Sequence, residues 1–201
     1  MTVLFVYLLG KMAYGSRAGL AAAGIFAVTY LHVESSHYIA TDVLLTLFIT
    51  AAFLPVLGIL SRGERRDYLW AGILGGLGAA SKYNAATLVL PILLAHWWGP
   101  ASPTSRIARL RDGKLWLAAG CMLVAFFVGS PYCFLDFSKF WADFRFISEH
   151  MQKGVYSTGG GRHWGDYLRL FFRDPLIAVP AKWSLLGWLY LLGAVWGLSA
   201  G

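Results

Sequence analysis

The sequence predicts an all-α, polytopic transmembrane helical bundle of about six to seven membrane segments, with a short helical hairpin around Lys82. Three observations carry that expectation. The chain is 58% hydrophobic and only 13% charged, whereas a soluble domain usually carries about 25% charged residues. Several apolar runs approach the roughly 20 residues that cross a bilayer, and the alternating strands of about ten residues that a β-barrel needs are not visible. Most of the basic residues fall in short loops between apolar runs, as in membrane proteins oriented by their cytoplasmic loops. That placement also accounts for the formal charge of +7, so no nucleic-acid partner is expected; the implied surroundings are membrane lipid.

Taken in order, the segments begin with residues 3–9, which are too short to span and follow no basic leader region: the first cation, Lys11, comes after the run. This start reads as the tail of a helix, and the chain stops on LSAG at the end of an apolar run, so a fragment of a larger membrane domain is expected. Residues 18–33 and 39–60 form the next two spans. Residues 68–81 (YLWAGILGGLGAAS) and 83–98 (YNAATLVLPILLAHWW) are fourteen and sixteen residues long. At 1.5 Å per residue each reaches roughly 21–24 Å, against about 30 Å of hydrocarbon. Residues 115–129 and 183–198 complete the set. Pro55 and Pro91 should kink their helices, and Gly72/Gly76 and Gly75/Ala79 have the small-xxx-small spacing of close helix contact. Cys121 and Cys133 read as packing residues, too far apart along a helix axis to bridge easily. His96, beside Trp97 and Trp98, looks like an aromatic-belt residue.

Three loops hold nine of the seventeen Lys and Arg: LGKMAYGSR, SRGERRD and PASPTSRIARLRDGK. If all three are cytoplasmic, an even number of crossings must join each to the next. Between Arg66 and Arg106 that requires residues 68–98 to fold as a hairpin rather than one long helix. The segment from His32 to Asp42, the Lys82 turn and the loop 131–182 then lie outside. The chain is thus read as one membrane domain, residues 1–201, with an extracytoplasmic loop over residues 131–182, in a multi-pass protein of a bacterial inner membrane.

Lys82 is the strongest candidate for chemistry. A short hairpin draws its turn below the membrane surface, and a charge there needs a partner, a wet cavity or an anionic ligand. Asp42, early in the third span and on the same side, has two readings: a helix-start carboxylate satisfying the dipole, or a carboxylate sharing a cavity with Lys82 and orienting its ammonium toward a phosphate. His32, Glu34, His37 and Tyr38 form a polar cluster whose spacing matches no recognised metal pattern; they are solvated loop residues or acceptor and metal contacts. In the outer loop, FLDFSKFWADFRFISEHM sets Phe134, Phe137, Trp141, Phe144 and Met151 near helical spacing, with Asp136, Lys139, Asp143 and Glu149 between them, as an interfacial amphipathic helix would. Gly159 to Gly161 follow, and Arg162 and His163 stand either on a lid facing substrate or on a plain connector. DYLRLFFRDPL reads as a second juxtamembrane helix. The chain contains no Gly-rich phosphate loop, nucleophile elbow or zinc pattern.

YLLGKMAYGSRAGLAAAGIFAVT, the Asp of HYIATDVLLTLF, and above all AGILGGLGAASKYNAATLVLPILLAHW resemble the dolichyl-phosphate-mannose protein mannosyltransferase and aminoarabinose transferase superfamily (glycosyltransferase family 39 and its bacterial relatives), which has the C-type membrane glycosyltransferase fold. The likeness is clearest over roughly residues 5–100; beyond that only the layout agrees. The resemblance implies transfer of a sugar from a polyprenyl-phosphate donor to a protein or glycolipid acceptor outside the cytoplasm, with inversion at the anomeric carbon. It places Lys82, Tyr83 and Asp42 near the donor phosphate. The family's catalytic acidic residue lies in the first outer loop, followed by an acidic residue or pair that can hold a divalent metal. That loop would precede Met1, so no catalytic residue is assigned in this chain and its metal is unknown. The competing reading is a non-enzymatic flippase or transporter fragment, because broken helices with intramembrane charge also mark transporter sites; a structural subunit is a third.

Overall fold

A computed structural model describes residues 1–38, 41–100 and 105–152. They are helical throughout, with no strand among them. Residues Met1–Phe137 form one compact unit and Ser138–Gly201 another. Two stretches of the described residues are long and apolar enough to cross a membrane, Thr41–Ser61 and Ile107–Gly129, and a shorter apolar helix covers Thr2–Tyr14. The expected span at 183–198, the lid around Gly159 to Gly161 and the second juxtamembrane helix lie outside the described residues.

The first unit begins with α1 (Thr2–Tyr14) and α2 (Ser16–Ala27), which turn on Gly15 at φ 90°, a conformation that glycine adopts without penalty. The two helices cross at backbone contact, since a Cβ on Gly19 would strike the Tyr7 carbonyl. The span expected at 18–33 is broken. Helix α2 stops at Ala27, and a separate α3 (Tyr30–Ser36) follows. Thr29 sits between them in an extended conformation, its hydroxyl donating 2.9 Å to the Ile25 carbonyl. A hydroxyl that satisfies the i−4 carbonyl competes with the helical ladder, and β-branched Val28 and Thr29 are weak helix formers.

Helix α4 (Thr41–Ser61) keeps its helical conformation through Pro55 and turns into α5 (Arg65–Ser81) through Gly63 at φ 65°. After α5 the chain reverses at Lys82, passes through a 3-10 turn (Tyr83–Leu88) and continues as α6 (Val89–Trp98). The expected hairpin therefore exists, but its second arm is not a uniform α-helix. Pro91 lacks the N–H that would bond to Thr87, and its ring crowds that carbonyl, so the preceding turn tightens to 3-10 geometry. Helices α7 (Arg106–Leu110) and α8 (Gly113–Gly129) follow, with Asp112 capping α8 by accepting from the Lys114 backbone N–H at 2.9 Å.

Helix α5 is the centre of this unit, packed most extensively on α8 and next on α4. A Cβ on Gly72 would collide with the Ala118 carbonyl, and one on Gly76 with the Met122 carbonyl. The Gly72/Gly76 spacing thus matches Ala118/Met122 on the facing helix, four residues against four. Gly75 instead meets the Met122 side chain at ordinary distance and does not share that contact. One buried cluster joins Val56, Ile59, Tyr68, Ala71, Ile92, Ala95 and Ala118; another joins Ala52, Ala79, Ala85 and Leu88. Cys121 and Cys133 are free thiols. A short α9 (Tyr132–Leu135) ends this region.

The amphipathic helix expected from Phe134 onward starts later, as α10 (Phe137–Gln152), because the chain leaves helical geometry at Asp136 (φ −138°, ψ 67°). Along α10, Trp141 stacks on Phe144 at 5.8 Å and Arg145 lies over the Trp141 ring at 5.4 Å.

Candidate functional site

Lys82 closes α5 and opens the 3-10 turn, in extended backbone (φ −159°, ψ 129°) that belongs to neither. Its amide still donates to Gly78 at 2.9 Å, and its carbonyl accepts from Ala85 at 3.1 Å. The reversal is fixed on both sides, so the lysine stem leaves from a defined point. Asp42 lies in the first turn of α4, where the helix dipole favours a carboxylate. The two meet: Lys82 Nζ donates to Asp42 Oδ1 at 2.5 Å. Asp42 thus occupies a helix start and also faces the Lys82 ammonium. The side chains remain 39% and 57% exposed. An ammonium has three donor hydrogens, so one bond to Asp42 leaves two for an anion.

Two of the other predicted residues make contacts of their own. His37 turns back on its own helix, Nδ1 donating to the Val33 carbonyl at 2.7 Å. His32 stacks on Phe26 with ring centroids 4.3 Å apart. Tyr38 is exposed, as is Tyr83 beside Lys82. Among the described residues no group of three or more His, Cys, Asp and Glu side chains could hold a metal ion. Arg162 and His163 lie outside the described residues.

At the other end of α5 the structure holds a network that inspection of single residues did not reveal. Tyr68 is 1% and His96 2% exposed, and the Tyr68 hydroxyl lies 2.7 Å from His96 Nδ1. His96 Nε2 lies 3.0 Å from the Arg109 carbonyl. A carbonyl only accepts, so Nε2 carries the proton, and in the neutral ring Nδ1 accepts from the tyrosine. His96 is therefore a buried bridge between α5, α6 and α7 rather than a belt residue. A signal for it did exist: Tyr68 and His96 are each fourteen residues from Lys82, so a hairpin turning at Lys82 sets them opposite each other. Around them, Arg62 Nη2 donates to Asp67 Oδ1 at 3.1 Å, Lys114 Nζ to the Gly63 carbonyl at 2.9 Å, and Arg109 Nη1 to the Trp97 carbonyl at 2.8 Å. The Asp67 carboxyl lies against the bare face of Gly58, and its Oδ2 is buried without a partner. Two of the basic loops, around Arg62 and around Arg109, thus come together at the base of the hairpin, opposite the turn that carries Lys82.

Apolar helices of spanning length, glycine-mediated backbone contact and cations gathered at one end define an all-helical membrane protein. Residues 1–132 match the family profile described as dolichyl-phosphate-mannose-protein mannosyltransferase, and the chain belongs to that family of membrane glycosyltransferases. The match runs past the stretch 5–100, where the resemblance is clearest by eye, and takes in α8 together with the Lys82–Asp42 pair. Neither a curated protein nor a solved structure matches the chain.

Proposed function

We propose that this chain is part of a glycosyltransferase that takes a sugar from a polyprenyl-phosphate donor on the extracytoplasmic face of the membrane, with Lys82 and Asp42 at the donor phosphate. The observation that carries the proposal is the direct Lys82–Asp42 contact on the turn of the hairpin. It sets an oriented ammonium, with donors to spare, at the end of the bundle away from the clustered arginines.

In the reaction an acceptor oxygen attacks the anomeric carbon while the bond from that carbon to the phosphate oxygen breaks. The bonding electrons stay with the phosphate, which gains negative charge as the sugar leaves. The Lys82 ammonium would stabilise that charge as it develops, and Asp42 would hold the ammonium toward the phosphate. The acceptor proton passes to a base that is not assigned among the residues of this chain. Tyr83 would flank the donor head, and His37, Tyr38, Arg162 and His163 are the candidates for acceptor or lid contacts.

The test uses the complete protein in liposomes with a radiolabelled polyprenyl-phosphate sugar. Lys82→Ala should lower transfer by about 10²–10³-fold, the usual cost of losing one preorganised donor to developing charge, with membrane insertion unchanged. Wild-type turnover by that variant would refute the assignment.

A further inference from the structure

Helices α6 and α8 flank α5 without closing on each other, and a groove of about 180 Å³ runs between them. Val89, Ile92 and Leu93 line one wall; Leu115, Trp116, Ala118, Ala119 and Met122 line the other. Its lining is apolar from end to end. Because α6 and α8 run in opposite directions, Val89 and Met122 mark the end of the groove deep in the bundle, and Leu115 and Trp116 the end at the basic loops. Trp116 fixes that mouth, with its indole Nε1 donating to the Leu110 carbonyl at 3.0 Å. The next residue, Arg111, is exposed at the turn, and Lys114 and Arg109 stand on either side of it in sequence.

We propose that this groove holds an acyl chain of an anionic glycerophospholipid whose headgroup phosphate sits at the turn from Arg109 to Lys114. The argument is charge complementarity joined to shape. A slot without polar lining excludes a headgroup but accepts an alkyl chain, and here it opens beside a turn that carries Arg109, Arg111 and Lys114 against one carboxylate, Asp112, whose Oδ1 is engaged by the Lys114 backbone N–H. Basic pockets between membrane helices on the cytoplasmic side select anionic headgroups, and a tryptophan at the mouth, with its N–H turned to a carbonyl, is suited to the boundary between tail and head. The site lies at the opposite end of the hairpin from Lys82 and does not depend on the role proposed for that residue.

Native mass spectrometry of the intact protein in detergent, titrated with phosphatidylglycerol or phosphatidylcholine of matched chains, tests the proposal. Phosphatidylglycerol should be retained at least tenfold more tightly. Arg111→Ala should bring the two lipids close to equal, and Ala119→Trp should remove the bound lipid by filling the slot. If Ala119→Trp fails to fold, Val89→Trp fills the same slot from its deeper end. Equal retention of the two lipids by the wild type would overturn the headgroup assignment, and undiminished binding by a folded groove-filling variant would overturn the groove. Displacement of phosphatidylglycerol by polyprenyl phosphate at equal concentration would assign the slot to the donor's tail and overturn the proposal as well.

Discussion

Removing the hydroxyl of Tyr68 should destabilise the hairpin through a residue that touches no substrate. In Tyr68→Phe the ring and its packing remain, but His96 Nδ1 loses the hydroxyl that lies 2.7 Å from it. At 2% exposure the ring cannot recruit bulk water, and a stranded buried acceptor costs about 1–3 kcal/mol. His96→Leu strands the tyrosine hydroxyl, which is equally buried, for a similar about 1–3 kcal/mol, whereas the Arg109 carbonyl, in the last turn of α7, still accepts from the Asp112 N–H at 3.3 Å. The double variant has neither the hydroxyl nor the imidazole, so most of the penalty for stranding should vanish. The two single losses should therefore together exceed the double loss by about 2–6 kcal/mol, from the upper part of the usual range for residues in contact upward. The assay is unfolding of the purified protein in mixed micelles by added SDS, followed by helical circular dichroism. Losses that add to within about 0.5 kcal/mol would refute the bridge, because that is how independent sites behave.

Gly76→Leu places a side chain against the Met122 carbonyl and should destabilise by at least about 1–3 kcal/mol, while Gly75→Ala, which meets only the flexible Met122 side chain, should be far milder; thermal unfolding in detergent compares them. Gly58→Ala pushes on the Asp67 carboxyl and should lower stability by about 1–3 kcal/mol, an effect that should shrink in an Asp67→Ala background. Asp42→Asn should change stability by no more than about 1 kcal/mol, as expected for a partly exposed pair, yet lower sugar transfer markedly. A loss of several kcal/mol would mean that the pair is held dry in the membrane.

The features legible in the sequence were those written into local pattern. Glycine four residues from glycine marked α5 for close helix contact, though not which helix would meet it, and the parity of the basic loops supported a hairpin at Lys82. An acid at a helix start, expected on the same side as Lys82, pointed to the Asp42–Lys82 pair. What escaped depended on partners remote in sequence or on competing local bonds. His96 precedes two tryptophans that argue for an interface, and only the folded hairpin brings Tyr68 to it. The break after Ala27 arises from a hydroxyl bonding back to Ile25, which hydropathy cannot register because Val and Thr leave the apolar run intact. Asp67 looked like one charge among several in a basic loop, whereas its burial depends on the bare α-carbon of Gly58 one helix away.

These long-range contacts bear on how Lys82 is held. An ion pair exposed at 39% and 57% contributes about 0–1 kcal/mol, too little to determine where a helix ends. The position of Lys82 follows instead from the packing of α5 along its length: Asp67 and Tyr68 tie its base to α4 and α6, and Gly72 and Gly76 seat its middle against the α8 backbone. The Gly78 carbonyl then receives the Lys82 amide at the top. With the backbone fixed by these contacts, the ammonium can exchange Asp42 for another anion without loss of the fold. A weak pair on a firmly held turn suits the role proposed for Lys82, binding a phosphate and releasing it, whereas a strong pair would compete with that ligand at every cycle.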